Sequence, residues 1–101
     1  MEGSNYMDRD AIDPLDVHFG ERLRAARKKR GISQIELARR ETLTFQQIQK
    51  YESGRNRISA SRLVHLAASL EVPVAWFFED LPAIFATPKK TKGKASRRYQ
   101  K

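Results

Sequence analysis

Two helix-start signals and one helix-stop signal lie within a short central segment of the chain. Ser33 is followed three residues later by Glu36, and Thr44 is followed three residues later by Gln47. In each pair the hydroxyl and the longer side chain can cap each other's backbone N–H groups, so both pairs predict helix N-termini. Gly54 predicts a helix end, because glycine readily adopts the left-handed conformation that closes a helix. The segment is expected to form two helices, from Ser33 to about Arg40 and from Phe45 to about Ser53, joined by the turn 41–43.

The residues on either side of this segment also follow a helical period. Asp13-Pro14 is a helix-start signal, and apolar residues three and four apart extend the first helix to about Lys29. Ser59 can cap a fourth helix with an apolar face, and Val72-Pro73 is expected to open a fifth that ends near Phe78. No convincing strand is predicted. Because helices this short are unstable alone, the sequence predicts an all-α fold, a compact five-helix bundle.

Charge is distributed unevenly along the 101 residues. Residues 1–16 have a net charge of −4, residues 17–86 of +5 and residues 87–101 of +7. A basic folded region followed by a basic tail indicates a polyanionic partner, with nucleic acid as the first candidate. A tail that only adds solubility is the alternative. We divide the chain into a flexible leader 1–13, a domain 14–80, an apolar C-terminal extension 81–86 and a basic disordered tail 87–101.

Composition argues against several classes of function. The chain has no cysteine, which excludes disulfides and thiol catalysis and is compatible with a reducing cytoplasm. The longest near-apolar stretch, 72–78, is much shorter than the about 20 residues that cross a bilayer. The two histidines, His18 and His65, are far apart in sequence. We expect no enzymatic activity, no metal or other cofactor, no membrane contact and no small-molecule ligand.

The side-chain pattern of the central segment is more specific than its helix boundaries. Two short helices joined by a tight turn form a helix-turn-helix, but many helical hairpins share that spacing. Counted from Gln34, the pattern requires a small residue at the fifth position, where the helices cross, and apolar residues at the fourth, tenth and fifteenth. Those positions hold Ala38, Leu37, Leu43 and Ile48, and Tyr51 supplies the eighteenth.

With this pattern the chain resembles the phage Cro and repressor-type helix-turn-helix family, also called the xenobiotic-response-element family. The stretches that carry the resemblance are 31–34, 37–38, 43–54 and 70–78, and it covers about residues 17–80. The resemblance implies a lambda-repressor-like DNA-binding fold. It also implies a small bacterial transcriptional regulator that works in the cytoplasm, on the nucleoid.

Two residues of the turn depart from the family's pattern. The eighth position, often a large apolar residue, is Glu41, and the ninth, often a left-handed glycine, is Thr42. A β-branched residue is poorly suited to a positive φ. We therefore expect either a different turn or a strained end of the second helix.

The third helix is expected to carry the base contacts. The major groove of B-DNA admits one α-helix, whose N-terminal residues meet base edges, and glutamine can bond bidentately to adenine. The resemblance places base contacts at Phe45, Gln46 and Lys50. The alternatives are that the glutamines form only a polar solvent face and that Phe45 packs on the second helix. The face opposite Ile48 and Tyr51 gives the predicted base-contact set: Thr44, Phe45, Gln46, Gln47, Gln49 and Lys50.

Phosphate contacts, which fix the register on DNA, are expected beside this helix. The resemblance assigns one to Gln34, at the positive N-terminal end of the second helix. It also pairs Arg27 with Glu52, which would orient the arginine toward phosphate. The loop residues Arg55, Asn56 and Arg57 are predicted to lie along the DNA backbone. The remaining cations of the first helix are interpreted as ordinary surface charges: Arg22, Arg24, Lys28 and Lys29.

A single reading helix covers about half a site, so we expect a homodimer on palindromic double-stranded DNA, with half-sites about 34 Å apart. Consecutive aromatic residues cannot all face the core of one short helix. The candidate dimer surface is Trp76, Phe78, Ile84 and Phe85. Closure of the core under the fourth helix is the alternative role of these residues.

Together these patterns favour a transcriptional regulator, most simply a repressor that occludes a promoter. Antitoxins and restriction-modification controllers use the same fold and are a second possibility. A protein-interaction module without DNA affinity is a third, and a nonspecific nucleic-acid binder led by the basic tail is a fourth.

Overall fold

The computed structural model describes residues 12–85. Four α-helices follow one another along the chain: α1 Pro14–Lys29, α2 Gln34–Glu41, α3 Phe45–Ser53 and α4 Ala60–Leu70. Two short 3₁₀ helices, Val74–Phe78 and Ala83–Phe85, complete the described part, which contains no strand. The all-α prediction is confirmed. The basic tail and all but the end of the predicted leader lie outside the described residues.

The prediction of a fifth α-helix is wrong. Residues Val74–Phe78 form a 3₁₀ helix, with backbone bonds from Trp76 N to Pro73 O and from Glu79 N to Trp76 O. Glu79 is already extended, with φ −77° and ψ 148°, so only five residues are available between it and Pro73. A segment this short favours the tighter 3₁₀ turn, which is typical of runs of a few residues.

The α-helices begin at the capping residues that the sequence indicates. The Ser33 hydroxyl accepts a hydrogen bond from the Glu36 N–H at 3.0 Å, and the Thr44 hydroxyl accepts one from the Gln47 N–H at 3.0 Å. Gly54 ends α3 with φ 80°. These local contacts confirm the predicted boundaries of the helix-turn-helix, because each cap satisfies a backbone group that the helix leaves unpaired.

The core lies where the four helices meet. Leu23, Leu37, Ile48 and Leu66 are fully buried, and Phe77 of the 3₁₀ helix closes the core beside them. The approach of α1 to α3 is very close at Gly20. A Cβ atom at that position would lie 2.3 Å from the Tyr51 carbonyl oxygen. Glycine is therefore required there by the close approach of α1 to the backbone of α3.

The turn between α2 and α3 keeps a left-handed residue despite its unusual sequence. Thr42 has φ 59° and ψ 43°, so the β-branched residue adopts the conformation that glycine favours. The side chain of Glu41 is 7% exposed and accepts a hydrogen bond from Arg62 at 3.1 Å and another from Ser69. The two departures from the family's pattern therefore differ in their structural effect. The backbone of Thr42 is strained, whereas the side chain of Glu41 connects the turn to α4 by hydrogen bonds.

The 3₁₀ helix is held against α1 by polar contacts with its carbonyl groups. The Arg22 guanidinium lies 3.9 Å from the centre of the Trp76 ring and donates to the Trp76 carbonyl oxygen. The Nε2 atom of His18 lies 2.9 Å from the Phe77 carbonyl oxygen. Arg22 is thus not the ordinary surface charge that the sequence suggested, since it packs on an aromatic ring.

Candidate nucleic-acid interface

The orientation of α3 follows from its two apolar residues. Ile48 is 0% exposed and Tyr51 is 7% exposed, so both face the core. The predicted base-contact residues lie on the remaining surface. Gln47 is half-buried and the other five, Thr44, Phe45, Gln46, Gln49 and Lys50, are exposed. The structure thus places the predicted set on α3 and its N-cap residue Thr44, with five of the six members exposed.

Phe45 stands at the first position of α3. The residue is 37% exposed, so part of it is open to solvent. Phe45 and the exposed Gln46 give this end of the helix an apolar and a hydrogen-bonding group. Such a pair can contact a thymine methyl group and an adenine edge.

A buried polar network joins α1, α2 and α3 behind this surface. The Arg27 guanidinium donates to both carboxylate oxygens of Glu52, at 2.6 and 3.0 Å, and to the Ile32 carbonyl oxygen at 2.9 Å. The Gln34 side-chain amide donates to Glu52 at 2.9 Å. Both charged residues are 8% exposed. The network therefore fixes the first residue of α2 relative to α3.

The pairing of Arg27 with Glu52 agrees with the resemblance, and it leaves little of the guanidinium accessible to a phosphate. Arg27 is 8% exposed, and three of its five guanidinium N–H groups are donated to Glu52 and to the Ile32 carbonyl oxygen. Gln34, at the N-terminus of α2, is half-buried, so it is the member of this network that reaches the surface.

The loop after α3 turns back toward α1. Arg55 and Asn56 both donate their backbone N–H groups to the Lys50 carbonyl oxygen. Arg57 is exposed but forms ion pairs with Asp16 at 3.1 Å and with Asp13 at 3.4 Å. Arg55 is exposed and Asn56 is half-buried. Carboxylates at the start of α1 thus occupy Arg57, a contact that sequence spacing could not predict.

An open groove of about 320 Å³ lies where α1, α2 and α3 meet. Its lining residues are Arg24, Gln34, Gln49, Lys50, Glu52 and Ser53. Arg24, which the sequence suggested was an ordinary surface charge, thus lines this groove. The available signal was its spacing from Arg27, because a residue three positions away lies on a neighbouring part of the same helix face.

The exposed side of α2 carries a separate cluster of charges. The Glu36 carboxylate accepts hydrogen bonds from Arg39 and Arg40. The hydrogen bond from Arg40, followed by the one from Arg39, lowers the pKa of the Glu36 carboxyl below its ordinary value. These ion pairs lie on the surface of α2. They share no residue with the buried network of Arg27, Gln34 and Glu52.

Three of the predicted dimer residues, Trp76, Phe78 and Phe85, differ in accessibility. Trp76 is half-buried beneath Arg22, whereas Phe78 is 49% exposed with its ring edge-on to Phe19. Phe85 is 41% exposed and ends the 3₁₀ helix that also contains Ile84. Phe78 and Phe85 are therefore exposed aromatic groups on a different part of the chain from α3.

The described residues hold no group of three or more side chains suited to binding a metal ion. Among the helices between residues 12 and 85, none has the length and apolar character needed to cross a bilayer.

Comparison with known proteins identifies this arrangement. A family profile described as helix-turn-helix matches residues 23–77. The chain is 53% identical over 74 residues to an uncharacterised transcriptional regulator in the ATPase CF(0) region of Rhodospirillum rubrum, covering 73% of this chain and 68% of that protein. It is 51% identical over 70 residues to an uncharacterised HTH-type transcriptional regulator of Sinorhizobium medicae, covering 69% of this chain. The match spans about half the length, 50%, of the Sinorhizobium protein.

Among solved structures, the chain is similar to the restriction-modification controller protein C.AhdI from Aeromonas hydrophila. The TM-score is 0.59 at 32% identity, over 62% of this chain and 91% of that one. Both the sequence matches and the fold support the resemblance drawn from residues 31–78. The chain belongs to the helix-turn-helix family of the xenobiotic-response-element type.

Proposed function

We propose that this protein is a transcriptional regulator that recognises specific sequences in double-stranded DNA by placing α3 in the major groove. The observation that carries the proposal is the exposed polar surface of α3 beside a cation-lined groove. The family, and relatives named as transcriptional regulators, support the same assignment.

Base recognition is assigned to the exposed face of α3 and to its N-cap residue. Gln46 and Lys50 are the leading candidates, followed by Phe45 and Gln47, with Thr44 and Gln49 beside them. Glutamine suits adenine, lysine suits guanine, and the Phe45 ring suits a thymine methyl group. Because these side chains are exposed or half-buried in the free protein, they need little rearrangement to meet a base edge.

Phosphate contacts are assigned to Gln34, Arg55 and Asn56. Arg57 joins them if phosphate displaces the carboxylates of Asp13 and Asp16. Arg27 is assigned an indirect role: its buried pair with Glu52 positions the Gln34 amide. These contacts set the register on DNA and do not read its sequence.

A homodimer on a palindromic operator, acting most simply as a repressor, is the form of regulation we propose. The exposed aromatic side chains of Phe78 and Phe85 support a dimer surface that also includes Trp76 and Ile84. Such a regulator would act in the cytoplasm, on the nucleoid. The similarity to C.AhdI favours a restriction-modification controller as the second candidate, and the genes adjacent to this one would separate the two roles.

Retention of genomic DNA fragments in a gel-shift experiment tests the proposal. With excess random competitor, we expect the full chain to retain a small set of fragments. Deletion of residues 87–101 should weaken binding and flatten its salt dependence while the same fragments remain preferred. Loss of all binding on that deletion would instead indicate a nonspecific binder led by the tail. Absence of binding by the full chain would favour a protein-interaction module.

A further inference from the structure

We infer that Arg24, on α1 and outside the helix-turn-helix segment, is a DNA-phosphate contact that acts beside Gln34 and Lys50. This inference rests on the proposed DNA binding and adds α1 to an interface that α2 and α3 already form. Its basis is the groove described above, which is lined by Arg24 of α1, Gln34 of α2 and the second half of α3.

The other arginines of α1, and Arg30 at its C-cap, already have partners. Arg22 packs on Trp76, Arg27 is paired with Glu52, and Arg30 donates to the carbonyl oxygens of Leu70 and Glu71. Arg24 is exposed, and its side chain makes no hydrogen bond or ion pair with any residue in the range 12–85. Its guanidinium is therefore available to a ligand without breaking a contact within that range.

The groove has an excess of positive charge. Its acid, Glu52, is balanced by the buried Arg27. Arg24 and Lys50 then remain, and within the described part of the chain neither has an acidic partner. A groove with two unbalanced cations and an amide side chain at its edge suits an anion.

The position of the groove favours a backbone phosphate over a base. Residues near the N-terminus of a recognition helix meet base edges, and Phe45 and Gln46 do not line the groove. It reaches Glu52 and Ser53 at the end of α3, past the base candidates Gln49 and Lys50. It also contains Gln34, the residue assigned to phosphate. The guanidinium fork matches the geometry of two phosphate oxygens, which a lysine ammonium engages only as a point charge.

Salt-dependent binding of the full chain to DNA tests this inference. Fluorescence anisotropy would follow a duplex selected for wild-type binding and a scrambled duplex over a series of salt concentrations. The variants are Arg24→Gln, Arg24→Lys and the control Lys29→Gln, which removes an exposed charge of the same helix that does not line the groove. Circular dichroism would establish that each variant keeps the helical content and melting temperature of the wild type.

For Arg24→Gln we expect the slope of log K against log salt concentration to become shallower by about 0.9, the change for one phosphate contact. Affinity at about 0.1 M salt should fall by up to about eightfold, equally for both duplexes. Arg24→Lys should recover most of the slope, and Lys29→Gln should match the wild type.

Equal slopes for Arg24→Gln and Lys29→Gln would overturn the inference. So would a loss of preference for the selected duplex with an unchanged slope, because Arg24 would then read bases. Failure of the proposed function is distinguishable from both results: the wild-type protein would itself bind the selected and scrambled duplexes equally.

Discussion

At the scale of single residues, the most specific prediction about DNA recognition concerns Gln46. The side chain is exposed at the second position of α3, where a bidentate contact to adenine is possible. We expect Gln46→Ala to weaken binding to the preferred site by ~1–3 kcal/mol and to relax the preference at one base pair. Competition binding against single-base variants of the site measures both effects.

His65→Ala provides the matched control, because His65 is exposed on α4 and lies outside the helix-turn-helix. It should leave affinity and preference unchanged. If Gln46→Ala behaves like His65→Ala, the orientation assigned to α3 on DNA is wrong.

A second prediction at the residue scale concerns Thr42 and the thermal stability of the domain. A left-handed conformation costs an L-residue about 1–2 kcal/mol, and glycine removes that strain while adding about 0.4–1 kcal/mol of unfolded-state entropy. Thr42→Gly should therefore raise the melting temperature by a few degrees, at roughly 4–8 °C per kcal/mol for a domain of this size.

Glu71 has a similar φ of 57° but is not β-branched, so Glu71→Gly should give a smaller gain. Thermal unfolding monitored by circular dichroism compares the two variants. A Thr42→Gly protein that melts at or below the wild-type temperature would show that the threonine is compensated by contacts other than its backbone.

At the scale of elements, the buried pair of Arg27 and Glu52 is a polar connection between α1 and the helix-turn-helix. Removal of one partner leaves an uncompensated buried charge, which typically costs about 3–5 kcal/mol. We expect Glu52→Ala to lower the free energy of unfolding by about that amount, and urea denaturation measures it.

Glu36 offers the comparison, since its ion pairs with Arg39 and Arg40 lie on the exposed face of α2. Glu36→Ala should reduce stability much less, because solvent screens surface pairs. Equal losses for the two variants would contradict the structural role assigned to the buried pair.

The elements differ in how far the sequence predicts them. Helix starts at Ser33 and Thr44 depend on contacts three residues apart, so the sequence is sufficient. The packing of the 3₁₀ helix against α1 depends on contacts from Arg22 and His18, more than fifty positions earlier, which short-range periodicity cannot predict. The pairing of Glu41 with Arg62 was not predicted either, because these residues are 21 positions apart in sequence.

The candidate site shows the same division. The exposed face of α3 could be predicted because Ile48 and Tyr51 determine which side is buried. The interior position of Arg27, the ion pairs of Arg57 with Asp16 and the place of Arg24 in the groove all depend on how α1 packs against α3. Packing between distant segments is not encoded in a local pattern.

At the scale of the whole molecule, we expect dimer formation and DNA binding to depend on different surfaces, so that different substitutions should disrupt them. Phe78 and Phe45 are exposed to similar extents, 49% and 37%, but they belong to different elements. Phe78→Ser should shift the protein from dimer to monomer, as measured by analytical ultracentrifugation. Phe45→Ser should leave the dimer intact and weaken DNA binding.

Two results would contradict this separation. If Phe78→Ser keeps the wild-type mass in solution, the dimer surface lies elsewhere. If it lowers the melting temperature of a protein that is already monomeric, Phe78 acts through its contact with Phe19 and serves the core.

The central claim is that α3 reads a DNA sequence, and selection of binding sites from random duplex DNA by the full chain tests it most directly. We predict an inverted repeat whose half-sites are centred about one helical turn apart, ~34 Å. Selection repeated with Gln46→Ala should change the same base pair in both halves. An enriched pool with no shared motif, from a protein that still binds DNA, would contradict the account.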